Sequence, residues 1–297
     1  MSSLRRFQTD PKTLLNTALS MYRSKRIKTA VVEGICDKRF LSQWIAPGTE
    51  LRFDGFNGKH LVELAYVNSR LKPYVDHDFM YFFADVDFDG IAKKPLYDHP
   101  KFIYHVFCFD QRRVLFNDLE TYLLNTTALE KVLANLDIEP EAAIGLRERL
   151  ERASRSIGSF RAADSVVQRK LKLSSSILNG LEVRAFFKDR EVAIDGEALK
   201  KALPNWSNYR EHVDQLVETA AKLDRESPTL WSLSRGHDAT EMLALHLESR
   251  GHRGMSPEKI EMMLRLACEF MEFERSPMAK RIKTTGAGNW FTPRAEV

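Results

Sequence analysis

Cysteine is scarce in this chain. Its three residues, Cys36, Cys108 and Cys268, are odd in number and widely spaced. They offer neither the paired spacing of a zinc site nor an even set for a disulfide framework. They therefore read as reduced, mostly buried thiols, with Cys36 as a small core-facing residue. Long apolar runs are missing too. No 18-residue stretch is apolar enough to span a bilayer, and the opening residues, MSSLRRFQTDPK, lack the h-region of a signal peptide. A cytoplasmic location with no membrane partner is expected. No Pro-, Gly- or Ser-rich segment argues for disorder, and no repeat recurs at a fixed period. Charge of one sign is in no marked excess, since 45 Lys and Arg stand against 41 Asp and Glu. A net +4 is too small to establish a polyanionic partner.

What is present is an ordinary globular composition, 43% hydrophobic and 29% charged. Basic residues gather at Arg23, Lys25, Arg26 and Lys28, between Arg147 and Lys172, and at Lys280, Arg281 and Lys283. Such groups either neutralise phosphates or form solvated helix faces, and the sequence leaves both readings open.

The first part of the chain alternates strand and helix patterns. Pro11 to Lys25 has helical apolar spacing through Leu14, Leu15, Ala18, Leu19 and Tyr22. Lys28 to Glu33 is a β-branched apolar run stopped by Gly34, and reads as a buried strand. Asp37 is offered as the N-cap of the next helix. Leu51 to Phe53, Phe79 to Ala84 and Phe102 to Phe107 predict further strands, with a helix over about Lys59 to Leu71. Alternation at this pace predicts an α/β fold with a mainly parallel sheet flanked by helices. From about Thr126 the patterns turn helical, over Pro140 to Ala153, Asn208 to Leu223, and from Ser256-Pro257-Glu258 through Phe270 and Met271. This predicts an additional, mostly α-helical lobe. The expected divisions are an N-terminal helical segment over 1–26, the α/β core over 27–125, the helical lobe over 126–225 and a C-terminal helical segment over 226–297. Trp231 to Leu247 is expected to return and complete the sheet layer, and Trp290 and Phe291 of the tail to dock.

Two acidic clusters follow strand patterns. Glu33 ends the first strand, and Asp85-Val-Asp87-Phe-Asp89-Gly90 follows the third. The second cluster matches the opening of an EF-hand loop, but Leu96 occupies the twelfth position, where a bidentate Glu is required, and a strand pattern precedes it. In parallel sheets ligands gather at the carboxyl ends of strands. Acids collected there repel one another, and a hard cation is the simplest way to keep several of them ionised. Mg²⁺ or Mn²⁺ takes such oxygen ligands together with substrate phosphate.

The order Val32-Glu33-Gly34-x-x-Asp37, then a strand, then Asp85-x-Asp87 resembles the Toprim domain shared by topoisomerases, primases and OLD-type nucleases, over roughly residues 27–125. With Asn117-Asp118-Leu-Glu120 and Gly236-His237-Asp238, the set is similar to an OLD-like Toprim subgroup that includes the toxin subunit of the PARIS phage-defence system. The resemblance implies a divalent-metal-dependent endonuclease with Glu33, Asp85 and Asp87 catalytic. It also implies Glu33, Asp37, Asp85, Asp87 and Glu120 as metal ligands. His237 would protonate a leaving group or contact phosphate, where OLD-type relatives carry a lysine. Asp118 and Asp89 are explained by an N-cap and a turn. The resemblance implies an RNA substrate, transfer RNA first, an ABC-type ATPase partner that holds the protein inactive, and a homodimer on release. An OLD-like DNA endonuclease is the nearest alternative, and a non-catalytic, metal-stabilised binding or regulatory subunit is the alternative of a different class. No zinc-ribbon cysteine pair supports a primase, and Tyr122 reads as a helix residue and not as a topoisomerase nucleophile.

Overall fold

The computed structural model describes residues 10–108, 113–114, 116–285 and 290. The chain divides into two compact units, the first formed by Met1–Asp85, Tyr97–His105 and Phe270–Val297, the second by Val86–Leu96 and Val106–Glu269.

The first unit is built on a four-stranded parallel sheet in the order β2-β1-β3-β4. Helix α1 (Pro11–Lys25) begins where the Asp10 carboxylate accepts from the Lys12 and Thr13 N–H groups, with Pro11 in the first turn. It leads through a left-handed Arg26 into β1 (Lys28–Val32). Helix α2 (Ile35–Ser42), β2 (Leu51–Gly55), α3 (Gly58–Ser69), β3 (Met80–Ala84) and β4 (Phe102–Tyr104) follow. The register sets Val32 beside Phe83, and Ala84 beside Tyr104. Strand β3 is buried throughout, as a central parallel strand with both faces covered must be. An α/β fold, with a parallel sheet flanked by helices and a helical lobe, is what the chain adopts.

Asp37 is not the N-cap of α2. Gly34 takes that place, and Asp37 stands three residues later, its carboxylate accepting from the Gly34 N–H at 2.7 Å. The acid therefore reaches back over the start of its own helix, as the N3 residue of a capping box does.

The second unit carries two short antiparallel pairs, β5 (Phe107–Cys108) with β6 (Arg113–Val114), and, further along the chain, β7 (Phe187–Lys188) with β8 (Ala193–Ile194). Its helices are α4 (Leu119–Leu124), α5 (Ala128–Ala134), α6 (Ala142–Leu171), α7 (Gly196–Ala202), α8 (Val213–Glu226), α9 (Gly236–Ser249) and α10 (Pro257–Ala267). Helix α6 runs 30 residues, well past the expected end at Ala153. Ser154, Ser156, Gly158 and Ser159 lower its helical propensity, yet the buried Ser154, Gly158 and Ser159 permit close packing. A Cβ on Gly158 would lie 1.7 Å from the Leu233 carbonyl oxygen. Trp231 to Leu247, expected to complete the sheet layer, belongs to this second unit.

Chain returns to the sheet later, with α11 (Phe270–Arg275) and α12 (Pro277–Thr284). The apolar pattern that ran on from Ser256 is broken at Cys268, whose backbone is extended. Phe273 stacks on Trp44 at 5.4 Å, and Trp290 meets Tyr81 edge-on at 4.5 Å while its carbonyl accepts from Ala46 N–H. Trp290 thus docks as expected, and Phe291 lies outside the described residues. No helix among the described residues is long and apolar enough to cross a membrane.

Candidate metal centre

Three adjacent strands of the first unit deliver their next residues to one place. Glu33 follows β1, Asp85 follows β3 and His105 follows β4. Since β1 and β4 flank β3, the in-register parallel pairing brings these residues side by side at the carboxyl ends of the strands. The backbone N–H of Asp85 donates to Glu33 Oε1 at 2.8 Å. His105 Nδ1 lies 2.7 Å from Asp85 Oδ1 and 3.9 Å from Asp37 Oδ1. An ionised carboxylate only accepts, so the imidazole carries the proton of the shorter contact.

His105 is 1% exposed, and it escaped the sequence reading. Phe102-Ile-Tyr-His-Val-Phe107 looks like one apolar strand, with the histidine as an interior residue. The strand ends at Tyr104, which puts His105 in the same strand-end position as Glu33 and Asp85. Its N–H donates to the Ala84 carbonyl at 3.0 Å, so the ring is anchored from the backbone.

The side-chain ligand atoms of Asp37, Asp85 and His105 all lie within 4.8 Å of one another. This group could hold a metal ion, with Glu33 beside it. The donor set fits a divalent cation. Carboxylates this close repel one another, which a bound cation relieves; the carboxylate oxygens suit Mg²⁺ or Mn²⁺, whereas ligation by the imidazole would favour later transition ions.

The other expected site residues lie in the second unit. Asp87 is exposed and has left-handed backbone (φ 52°), and its N–H donates to the Asn117 carbonyl at 2.9 Å. With Asn117, Asp118, Arg161, Asp164 and Arg235 it lines a cavity of about 700 Å³. Asp118 is the N-cap of α4, and its carboxylate accepts from Thr121 N–H at 2.9 Å and Gly236 N–H at 2.6 Å. Burial pushes its carboxyl above the usual range in spite of these bonds. Asn117 Nδ2 donates to the Ser234 carbonyl, and Arg161 grips Asp238 through two hydrogen bonds of 2.6 and 2.9 Å. The Asn117-Asp118 and Gly236-His237-Asp238 motifs are thus joined by structural hydrogen bonds.

Glu120 is buried, 3.9 Å from the Arg265 guanidinium, which is a cation's position already filled by the protein. His237 exposes its ring while Nδ1 bonds Glu261 Oε1 at 2.7 Å, and Glu261 also accepts from Thr240 Oγ1. The hydrogen bond to Glu261 raises the imidazole to about 9, so His237 is a cation at neutral pH. Of the basic residues noted along the chain, Lys28 pairs with Asp78, Arg155 with Asp224 and Arg281 with Asp98. Those charges are spent at least partly within the fold.

No protein-family model, no curated protein and no solved structure matches the chain.

Proposed function

We propose that this chain is a divalent-metal-dependent endonuclease whose metal is held by Glu33 and Asp85, with Asp37 beside them. The observation that carries the reading is the convergence of these acids at the carboxyl ends of β1 and β3, tied by the hydrogen bond from Asp85 N–H to Glu33 Oε1. Asp87 is retained as a further oxygen ligand on the strength of the D-x-D spacing alone. Mg²⁺ or Mn²⁺ suits this oxygen-rich set. The chemistry such an ion supplies is Lewis-acid: it generates a nucleophile from water at neutral pH and offsets charge developing on a phosphodiester.

The chain's own residues then have separable tasks. Glu33 binds and orients. Asp85 presents a carboxylate whose direction is set by its surroundings. His237, cationic and exposed on the second unit, is suited to contact a phosphate or give up a proton to a leaving oxygen.

The substrate proposed is RNA, transfer RNA first, with the chain acting as a toxin effector of phage defence. An ABC-type ATPase partner would restrain it, and released subunits would form a homodimer. These points rest on the motif set Glu33-Gly34, Asp85-x-Asp87, Asn117-Asp118-Leu-Glu120 and Gly236-His237-Asp238. The test is incubation of the purified protein with total RNA and, separately, plasmid DNA, in Mg²⁺, Mn²⁺ or EDTA, beside Glu33→Gln. Discrete RNA fragments that need metal and vanish in the variant support the reading. Metal-dependent cleavage of DNA alone replaces it with an OLD-like DNA endonuclease. Absence of cleavage on both substrates, with the ATPase partner also supplied and removed, speaks for a non-catalytic metal-stabilised subunit.

A further inference from the structure

The buried histidine beside the acids plays no part in the function as proposed so far. We propose that His105 is a positioning residue for Asp85, holding one carboxylate oxygen so that the other is aimed at the metal. This inference rests on the metal-binding reading above and adds a determinant of affinity to it.

The terminal torsion of an aspartate is broad and close to two-fold, so a carboxylate with no fixed partner samples many directions. A metal must then pay for ordering it. His105 removes that freedom in three ways. Its Nδ1–H donates to Asp85 Oδ1 at 2.7 Å. Its own position is set by the backbone bond to Ala84, the residue before Asp85. Its ring is 1% exposed, so the donor is shielded from water and held in a low-dielectric setting. Asp37 Oδ1, 3.9 Å from the same Nδ1, gives the imidazole a second acid to face without a second hydrogen bond. Hydrogen-bonded partners of metal ligands typically change metal affinity about 10- to 100-fold when removed.

The alternative role for the same nitrogen is direct ligation, and the experiment separates the two. Mn²⁺ is titrated into the full-length protein and free Mn²⁺ is followed by electron paramagnetic resonance, for the wild type, His105→Leu and His105→Asn. Leucine keeps much of the volume and removes the donor. Asparagine places an amide N–H near the position of Nδ1. The inference expects His105→Leu to bind Mn²⁺ about 10- to 100-fold more weakly, and His105→Asn to recover most of that loss. Pulsed resonance on the wild-type Mn²⁺ complex should show no directly coordinated nitrogen.

Equal affinity in wild type and a folded His105→Leu would overturn the inference while leaving the metal reading intact. So would an asparagine variant as weak as the leucine one, or a strong directly bound ¹⁴N coupling. If the leucine variant does not fold, the asparagine titration and the pulsed measurement still decide the question. A wild type that binds no Mn²⁺ at all would overturn both this inference and the function it rests on.

Discussion

Asp85 N–H and Glu33 Oε1 are joined by a hydrogen bond of 2.8 Å across the ends of two neighbouring parallel strands. The bond matters because the two residues are 52 apart in sequence and meet only if β1 and β3 pair in the observed register. A slip of one residue would turn each side chain to the other face of the sheet. The fold therefore specifies the acidic cluster as a consequence of packing Phe82, Phe83 and Val32 in the core.

The same bond makes Glu33→Gln a clean variant. A glutamine carbonyl still accepts the Asp85 N–H, in a neutral bond weaker than the charge-assisted one, so the fold should stand, with stability lowered by about 1 kcal/mol. Metal-dependent cleavage should fall at least about 100-fold, beyond the effect of losing an outer-shell partner. Parallel melting curves and cleavage rates check this. Loss of folding along with activity would support a structural role for Glu33 instead.

His237 should titrate near 9 and not near 6.5. Its folded value lies above its unfolded one, so the stabilisation it contributes is fully present below about pH 6.5 and is lost as pH rises through about 9. Glu261→Gln removes the main cause and should return the midpoint toward the ordinary histidine value. An NMR titration of the His237 ring in both proteins measures it, and a wild-type midpoint near 6.5 would contradict the assignment.

Gly236→Ala should be costly although alanine is the better helix former. A Cβ there would come within 2.4 Å of Asp118 Oδ1 and 2.5 Å of Glu120 Cβ. Both neighbours are buried, and Asp118 is held by the Gly236 N–H itself. Overpacking of this kind costs about 1–3 kcal/mol, readable as a lowered urea midpoint. An unchanged midpoint would mean that α9 starts differently from the arrangement described.

Arg161→Ala should destabilise the second unit more than loss of an exposed pair would. Asp238 is buried and depends on both guanidinium hydrogen bonds. Removing the arginine leaves the buried carboxylate only the longer contact of 3.8 Å to the more exposed Arg235 guanidinium, at a cost of up to about 3–5 kcal/mol. Arg161→Ala combined with Asp238→Asn should recover part of it, because the buried charge that has lost its hydrogen-bonded partner is gone. A double variant no more stable than the single one would argue that the charge is not the source of the loss.

Much of the sheet was legible because β1 and β3 are short apolar runs halted by Glu33-Gly34 and by Asp85. A polar residue straight after a buried run marks a strand end, and both acids stand in that position. His105 carries no such mark, because Val106 and Phe107 continue the apolar pattern beyond Tyr104 and hide where pairing stops. The sequence places Asp37 at the start of its helix but not at its true position there, since Gly34 and an acid both satisfy the preferences of an N-cap. The length of α6 was hidden for a different reason. Serine and glycine at 154–159 weaken local propensity, and the gain that overrides it is close packing of Gly158 against Leu233, which is 75 residues further along the chain and invisible to any local pattern. Glu120 was grouped with the acids by motif, and its partner Arg265 lies too far along the sequence to have signalled a structural ion pair.

If the acids at the strand ends hold a divalent cation, diffraction will place it. Crystals equilibrated with Mn²⁺ would be measured at a wavelength where manganese scatters anomalously. An anomalous peak is expected within about 2–2.5 Å of carboxylate oxygens of Glu33 and Asp85, and none in Glu33→Gln crystals treated in the same way. An anomalous map with no peak at Glu33 and Asp85, in crystals where that cluster is open to solvent, would contradict it.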